Sequence, residues 1–264
     1  MLKSDRVKIN YTLTFHTPFH CGTGIRAGLI DRTVTRNREG YLYVPGSTIK
    51  GATRELCEQL ARLYSPGREA RQRIASPHDT DAVVHEWGKT PTMITRIFGS
   101  HLSPGHLCFN HASQSNEARH QYDQVGGPVE ERKGKYKSLQ VDTYTQVRID
   151  RLTRTATRGA LYTSEFGIRN LIFEGSISGW LECTSTEQSS HERNSDSDDS
   201  PTYSLLLLIA GLQMLERLGG NKSTGKGQCS CEIKTIKING TVYKEKQWMD
   251  WLEHLSTLTK YPQS

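Results

Sequence analysis

The chain has 264 residues, room for one large domain or two small ones, and carries 34 Lys and Arg against 28 Asp and Glu, a formal charge of +6. That balance favours a polyanionic partner, while six cysteines without a CxxC pair exclude a zinc ribbon or a small secreted disulfide framework. The longest apolar run, residues 205–212, is far short of the ~20 residues a membrane helix needs, so the expectation is a cytoplasmic protein with reduced thiols and no membrane partner.

Residues 7–15 alternate Val7, Ile9, Tyr11, Leu13 and Phe15 with polar neighbours, the period of a half-buried strand. A glycine-containing stretch over 20–31 and a short strand over 41–44 lead to Pro45-Gly46-Ser47, where Ser47 can cap a helix. From there Ile49, Ala52, Leu56, Leu60 and Leu63 fall at helical spacing. Residues 65–90 show no period; a short helix is expected over 92–98 and a short strand over 107–109. Residues 113–160 are polar and carry a basic cluster at Arg132, Lys133, Lys135 and Lys137, which reads as a long insertion shaped as a β-hairpin arm.

Phe173, Ile177, Leu181 and Cys183 share one face of a further strand. The following stretch, 184–201, holds five acids and one Arg, so the rest of the chain carries +10, and its serine-rich composition predicts a disordered loop. Residues 203–218 form the strongest helix signal, with Gly219-Gly220 as its C-terminal cap. Cys229, Cys231 and Ile233 then alternate into a strand, Asn239-Gly240 signals a two-residue hairpin, and Trp248, Trp251, Leu252 and Leu255 mark a last helix. The order predicts an α+β fold: a ferredoxin-like or RNA-recognition-type core, an antiparallel sheet with helices on one face, spanning 1–264 as one domain with long insertions.

Several segments carry candidate chemistry. Residues 220–227 match GxxxxGK, but Gly227 stands where a P-loop needs the hydroxyl that holds Mg²⁺, and the loop runs from helix to strand instead of strand to helix. That excludes an NTPase. It leaves either a solvated turn or a glycine loop whose Lys222, Ser223 and Lys226 cradle a nucleic-acid backbone. Asp31 reads either as a turn or ion-pair residue or as an acid acting at an RNA phosphate. His101, His106, Cys108 and His111 match no zinc-finger spacing, and no metal is assigned to them. Ser47, Lys50 and Arg54 lie on adjoining turns of a helix start, so a hydroxyl, two cations and the positive dipole end can address one phosphate; an ordinary capped helix is the plainer reading.

Four motifs in order, FHCGTG at 19–24, GLIDRTVTR at 28–36, YVPGSTIKGATRE at 43–55 and LGGNKSTGKG at 218–227, with IFG at 97–99 and VRIDRLTRTATRGALYTSE at 147–165, resemble the RAMP superfamily. Within it they resemble the repeating backbone subunit of type III CRISPR effector complexes. The resemblance implies a palm-shaped core with the 113–160 arm as a thumb. It also implies a guide CRISPR RNA, a complementary target RNA, and copies of the chain and other effector subunits as partners. By position it implies RNA contacts at His20, Gly22, Gly24, Ser47, Lys50, Gly51, Arg54, Gly220, Lys222, Ser223 and Lys226, with Arg151 the best candidate in the arm. Asp31 falls on the residue that cleaves the target. The reaction implied is endoribonuclease attack by a ribose 2′-hydroxyl, aided by a divalent ion such as Mg²⁺. The alternatives are a structural subunit in which Asp31 is silent and a repeat-processing endoribonuclease of the same superfamily.

Overall fold

A computed structural model of the chain describes residues 4–64, 92–100, 103–125, 139–182, 203–253 and 255. The first strand, β1 (Ser4–Phe15), is its axis: Val7, Ile9, Tyr11, Leu13 and Phe15 are all buried, and the polar residues between them face the other way. After β2 (Tyr43–Val44) the chain enters helix α1 (Gly46–Tyr64). Helix α2 (Met93–Phe98) and strands β3 (Leu107–Phe109) and β4 (Ala112–Ser113) follow. Next come α3 (Asn116–Val125), the hairpin strands β5 (Val141–Ile149) and β6 (Ala156–Gly167), and β7 (Ile172–Glu182). The C-terminal third holds α4 (Tyr203–Gln213), β8 (Cys229–Ile238), β9 (Thr241–Tyr243) and α5 (Glu245–Leu252).

The main sheet has the order β2-β4-β7-β1-β8-β9, with β3 also paired to β7. Strand β1 is antiparallel to both β7 and β8. Taken as β1-α1-β3-β7-α4-β8, with β8, β1, β7 and β3 side by side, this is the expected ferredoxin-like plan: two β-α-β crossovers interleaved in one antiparallel sheet. Both helices lie on one face. Helix α4 is buried along Leu205–Leu208, Ile209 and Leu212, because α1, α2, β8 and α5 all pack on it. It comes close to α1 at Gly211, where a side chain would collide with Cys57 Sγ.

Three expectations need correction. Helix α4 ends at Gln213, not Leu218. Leu218 N–H donates to Gly227 O and Cys229 N–H to Glu216 O, so the chain leaves the helix early to pair with the start of β8, and Gly219-Gly220 serve the neighbouring loop instead of capping. Ser47 is not the cap of α1: the helix starts at Gly46, and Pro45 O accepts from Thr48 and Ile49 N–H. The insertion contains a helix, α3, besides its hairpin, and the return strand of the hairpin continues to Gly167, beyond the expected end at 160. The acidic segment 184–201 and the basic cluster 132–137 lie outside the described residues.

A candidate RNA-binding cleft

The segments that carry the sequence motifs meet at the end of β1. A cleft of about 550 Å³ is lined by the 20–24 loop, by Asp31, Arg32 and Thr33, by Thr48, Gly51, Ala52 and Glu55 of α1, and by Gly219, Gly220 and Lys222. Local backbone demands explain how such distant segments converge. Gly46 has no room for a side chain because Phe109 O sits against it, and its N–H donates to His111 Nδ1 (3.0 Å), which pins the start of α1 to the β3–β4 edge. Gly219, at φ +88°, and Gly220, whose N–H donates to His20 O (2.8 Å), let the glycine loop close on the 20–24 loop.

The cleft floor hangs on strand β6. Phe19 and Gly167 exchange two backbone hydrogen bonds, Asp31 and Arg32 N–H both donate to Thr163 O, and Glu165 N–H donates to Arg32 O. The Glu165 side chain completes the join. Its carboxylate accepts from both terminal nitrogens of Arg36 (each 2.9 Å) and from Val34 N–H (3.1 Å), in a setting where little of either side chain is exposed. The loop that carries Asp31 is thus tied to the base of the hairpin.

Asp31 sits on the cleft wall with both carboxylate oxygens engaged. Oδ2 accepts from Thr163 N–H (2.9 Å) and Oδ1 pairs with Arg26. The Thr163 N–H, with the Arg26 guanidinium adding to it, holds the carboxyl below its ordinary range, so it is a carboxylate at neutral pH. Arg26 is 77% exposed and held only by this pair among the described contacts, so it can leave at small cost.

His20 is buried, and its Nδ1 lies 2.7 Å from Glu165 O. A carbonyl only accepts, so Nδ1 carries the hydrogen. Burial lowers the pKa of the ring, which keeps it neutral and leaves Nε2 as a bare acceptor at the cleft. Gly22 makes space for that nitrogen: a Cβ there would come within 2.7 Å of it.

Lys222 reaches across the cleft to Glu55 (3.8 Å), an exposed pair that contributes little and opens readily. Arg32 donates to Asn221 Oδ1 (3.1 Å), which adds a second cation to the glycine loop. Lys226 points elsewhere, its ammonium 4.5 Å from the ring of Tyr144 and 5.3 Å from that of Phe166 at the hairpin base. Gly51 differs from every other described glycine. Each of the others either has a positive φ or would press a Cβ against a neighbour, whereas Gly51 is helical and faces open space within 4 Å.

Of the residues singled out in the sequence, His20, Gly22, Gly24, Asp31, Gly51, Gly220 and Lys222 line this one cleft. Ser47 and Lys50 stand on the same helical turns outside its lining, Ser223 is exposed beside Lys222, and Arg151 lies in the exposed turn at the far end of the hairpin. Arg54 is not a cleft residue. Its half-buried guanidinium donates to Glu58 Oε1 (2.8 Å) and to the Gly99 carbonyl (3.1 Å), so it joins α1 to the end of α2. Sequence reasoning did not pick out Arg32, Arg36 or Glu165 as site residues. Arg32 had a signal in its place beside Asp31, but the Arg36–Glu165 pair spans 129 positions and leaves no local trace.

Among the described residues no group of three or more His, Cys, Asp or Glu side chains could hold a metal ion. The cleft lining holds two carboxylates, Asp31 and Glu55, the latter paired with Lys222. Asp31 alone would suit a hydrated Mg²⁺ shared with a nucleic-acid phosphate, since that ion commonly takes one or two carboxylates and keeps several waters. No described helix is long and apolar enough to cross a membrane.

Comparison with known proteins places these features in a wider setting. The sequence matches the RAMP superfamily over residues 12–230. A search of the curated proteins finds no match. Among solved structures, the chain resembles one in the cryo-EM structure of the type III-B Cmr-beta bound to cognate target RNA, with a TM-score of 0.50 and 12% identity over 86% of this chain and 96% of that one. The apo-state Cmr-beta structure gives the same TM-score and coverage at 13% identity. At such identities the likeness is one of fold.

Proposed function

The chain belongs to the RAMP superfamily, and on that premise we propose that it is a guide-RNA-binding backbone subunit of a type III CRISPR effector complex that also cleaves the paired target RNA, with Asp31 at the cut site. Gly51 carries the RNA-binding part. A helical glycine costs about 0.5–1 kcal/mol relative to alanine, and no neighbour among the described residues accounts for it. A ligand backbone drawn against α1 does. The start of α1, Lys222 and Arg32 give that ligand a positive wall, and the bare Nε2 of His20 offers an acceptor to a ribose 2′-hydroxyl, the group that distinguishes RNA from DNA. The fold shared with Cmr-beta, a complex solved with target RNA, supports the placement in a type III assembly.

Cleavage in this reading is positional. The hairpin tied to the Asp31 loop splays one target nucleotide; its 2′-hydroxyl gives up its proton to water as the oxygen bonds to the adjacent phosphorus, the P–O5′ bond breaks, and the departing 5′-oxygen takes a proton from water. The products are a 2′,3′-cyclic phosphate and a 5′-hydroxyl. Asp31, released by the exposed Arg26 and still held by Thr163 N–H, orients the attacking hydroxyl. A divalent ion bound beside it would neutralise charge on the phosphate.

One observation favours a second reading, a structural subunit without activity: both oxygens of Asp31 already serve contacts inside the chain. The experiment separates the two. The complex is purified with its neighbours, co-purified RNA is sequenced, and a guide-matched target is offered. Guides sharing one repeat-derived end are expected, and Asp31→Ala should leave their retention intact while abolishing cyclic-phosphate products. Unchanged cleavage by that variant removes Asp31 from the reaction, and a preparation without guide RNA removes the backbone role altogether.

A further inference from the structure

The sheet face turned away from α1 and α4 holds an aromatic and cationic patch that the cleft does not use. At one edge of it is Trp180 of β7, 52% exposed, while Ile177 and Leu181 beside it are buried on the opposite face. Its cross-strand partner is Arg6 of β1. Two positions along β1, Lys8 stands directly opposite Lys237 of β8. Arg6, Lys8 and Lys237 are all exposed, and among the described residues none forms an ion pair with a carboxylate. Val242 of β9, 43% exposed and paired with Lys237, closes the patch on the far side.

This arrangement works against the protein taken alone. Like charges directly opposite in an antiparallel pair destabilise the sheet, and a half-exposed indole gains little from water. Both become useful when the face meets a ligand with anionic groups and flat rings. Strands β1 and β7 are the two central strands of the ferredoxin-like order, the position from which RNA-recognition-type sheets present their aromatics to single-stranded bases. The patch is also remote from the cleft. Arg6 precedes the end of β1 at Phe15 by nine residues, about 30 Å at the rise of a strand.

We propose that this face is a second RNA-binding surface, for single-stranded RNA, with Trp180 as a stacking platform for one base and Arg6, Lys8 and Lys237 as contacts to the flanking phosphates. An acidic peptide would satisfy the cations and leave the indole unused, whereas a single RNA strand engages both. The inference stands apart from the guide-binding reading of the cleft and does not require it.

The test uses the full chain, alone and in its purified complex, with a 12-nucleotide single-stranded RNA carrying 4-thiouridine as a photocrosslinking probe and as an anisotropy ligand. Crosslinks to the β7 segment around Trp180 are expected. Trp180→Ala should lower affinity for the added strand about tenfold, Trp180→Phe should keep most of it, and guide retention in the complex should be the same in both. Lys8→Glu should weaken the strand while raising the melting temperature, because it turns a repulsive cross-strand pair into an attractive one. Crosslinks confined to the cleft loops, or equal affinity in Trp180→Ala and the parent, would overturn the proposal. So would loss of a protein subunit from the Trp180→Ala complex with RNA affinity unchanged, which would make the face a protein interface. Absence of guide RNA from the complex would sink the cleft reading and leave this one standing, since the crosslink at β7 reports on its own.

Discussion

At the scale of single residues, the informative positions are those where local physics and the rest of the fold disagree. Gly51 is one: the helix around it would be stronger with alanine, and the structure offers room for the methyl group. Gly51→Ala is therefore expected to stabilise the chain by about 0.5–1 kcal/mol in a urea titration while weakening its hold on RNA in a binding assay. If the substitution leaves RNA affinity untouched, the glycine has some other origin and the approach of a backbone to α1 loses its main support. Asp31 shows how local and global readings combine. Its sequence neighbourhood allowed a structural or a chemical acid, and the fold places it on the cleft wall with a backbone donor that keeps it ionised. Arg54 is the reverse case, a cation whose helical spacing suited a phosphate contact until Glu58, one turn along the same helix, and the Gly99 carbonyl claimed it.

At the scale of elements, the hairpin β5–β6 and the Asp31 loop form one mechanical unit joined by the Arg36–Glu165 pair. Both charges are nearly buried, so removing one leaves the other without compensation. Glu165→Gln is expected to cost about 3–5 kcal/mol in chemical denaturation, and pairing it with Arg36→Met should restore much of that, because the stranded cation is gone. If the proposed cleavage holds and Asp31 depends on the strand for its position, the double variant should still cut target RNA poorly. Full activity in it would show that the ion pair serves stability alone. Sequence periodicity located the core strands and helices, since burial on one face writes a period into the chain, but it outlined this hairpin only loosely, because most of β5 and the first half of β6 are exposed. It was silent on the join, because a contact across 129 positions has no period.

At the scale of the molecule, the formal charge of +6 matters through where it lies. The cleft gathers Arg32 and Lys222, and the opposite end of the sheet gathers Arg6, Lys8 and Lys237. Affinity for RNA should therefore fall linearly on a log–log plot against salt, with a slope near −0.7 for each phosphate neutralised on a single strand; a salt-independent affinity would mean that neither basic surface meets the RNA backbone. By itself, the sequence determined the α+β class, the order of the main elements, the strand alternation and the four motifs that resemble the RAMP superfamily, because each of these is written in neighbouring residues through periodicity, turn chemistry and short runs. Tertiary contacts settled that the motif loops close on one cleft, that Arg54 and Lys226 turn away from it, that α4 stops at Gln213, and that Trp180 stands beside cations with no carboxylate partner among the described residues. Those outcomes depend on which hydrogen-bonding and charged groups meet across the sheet, and that competition is settled only when strands far apart in sequence come into register.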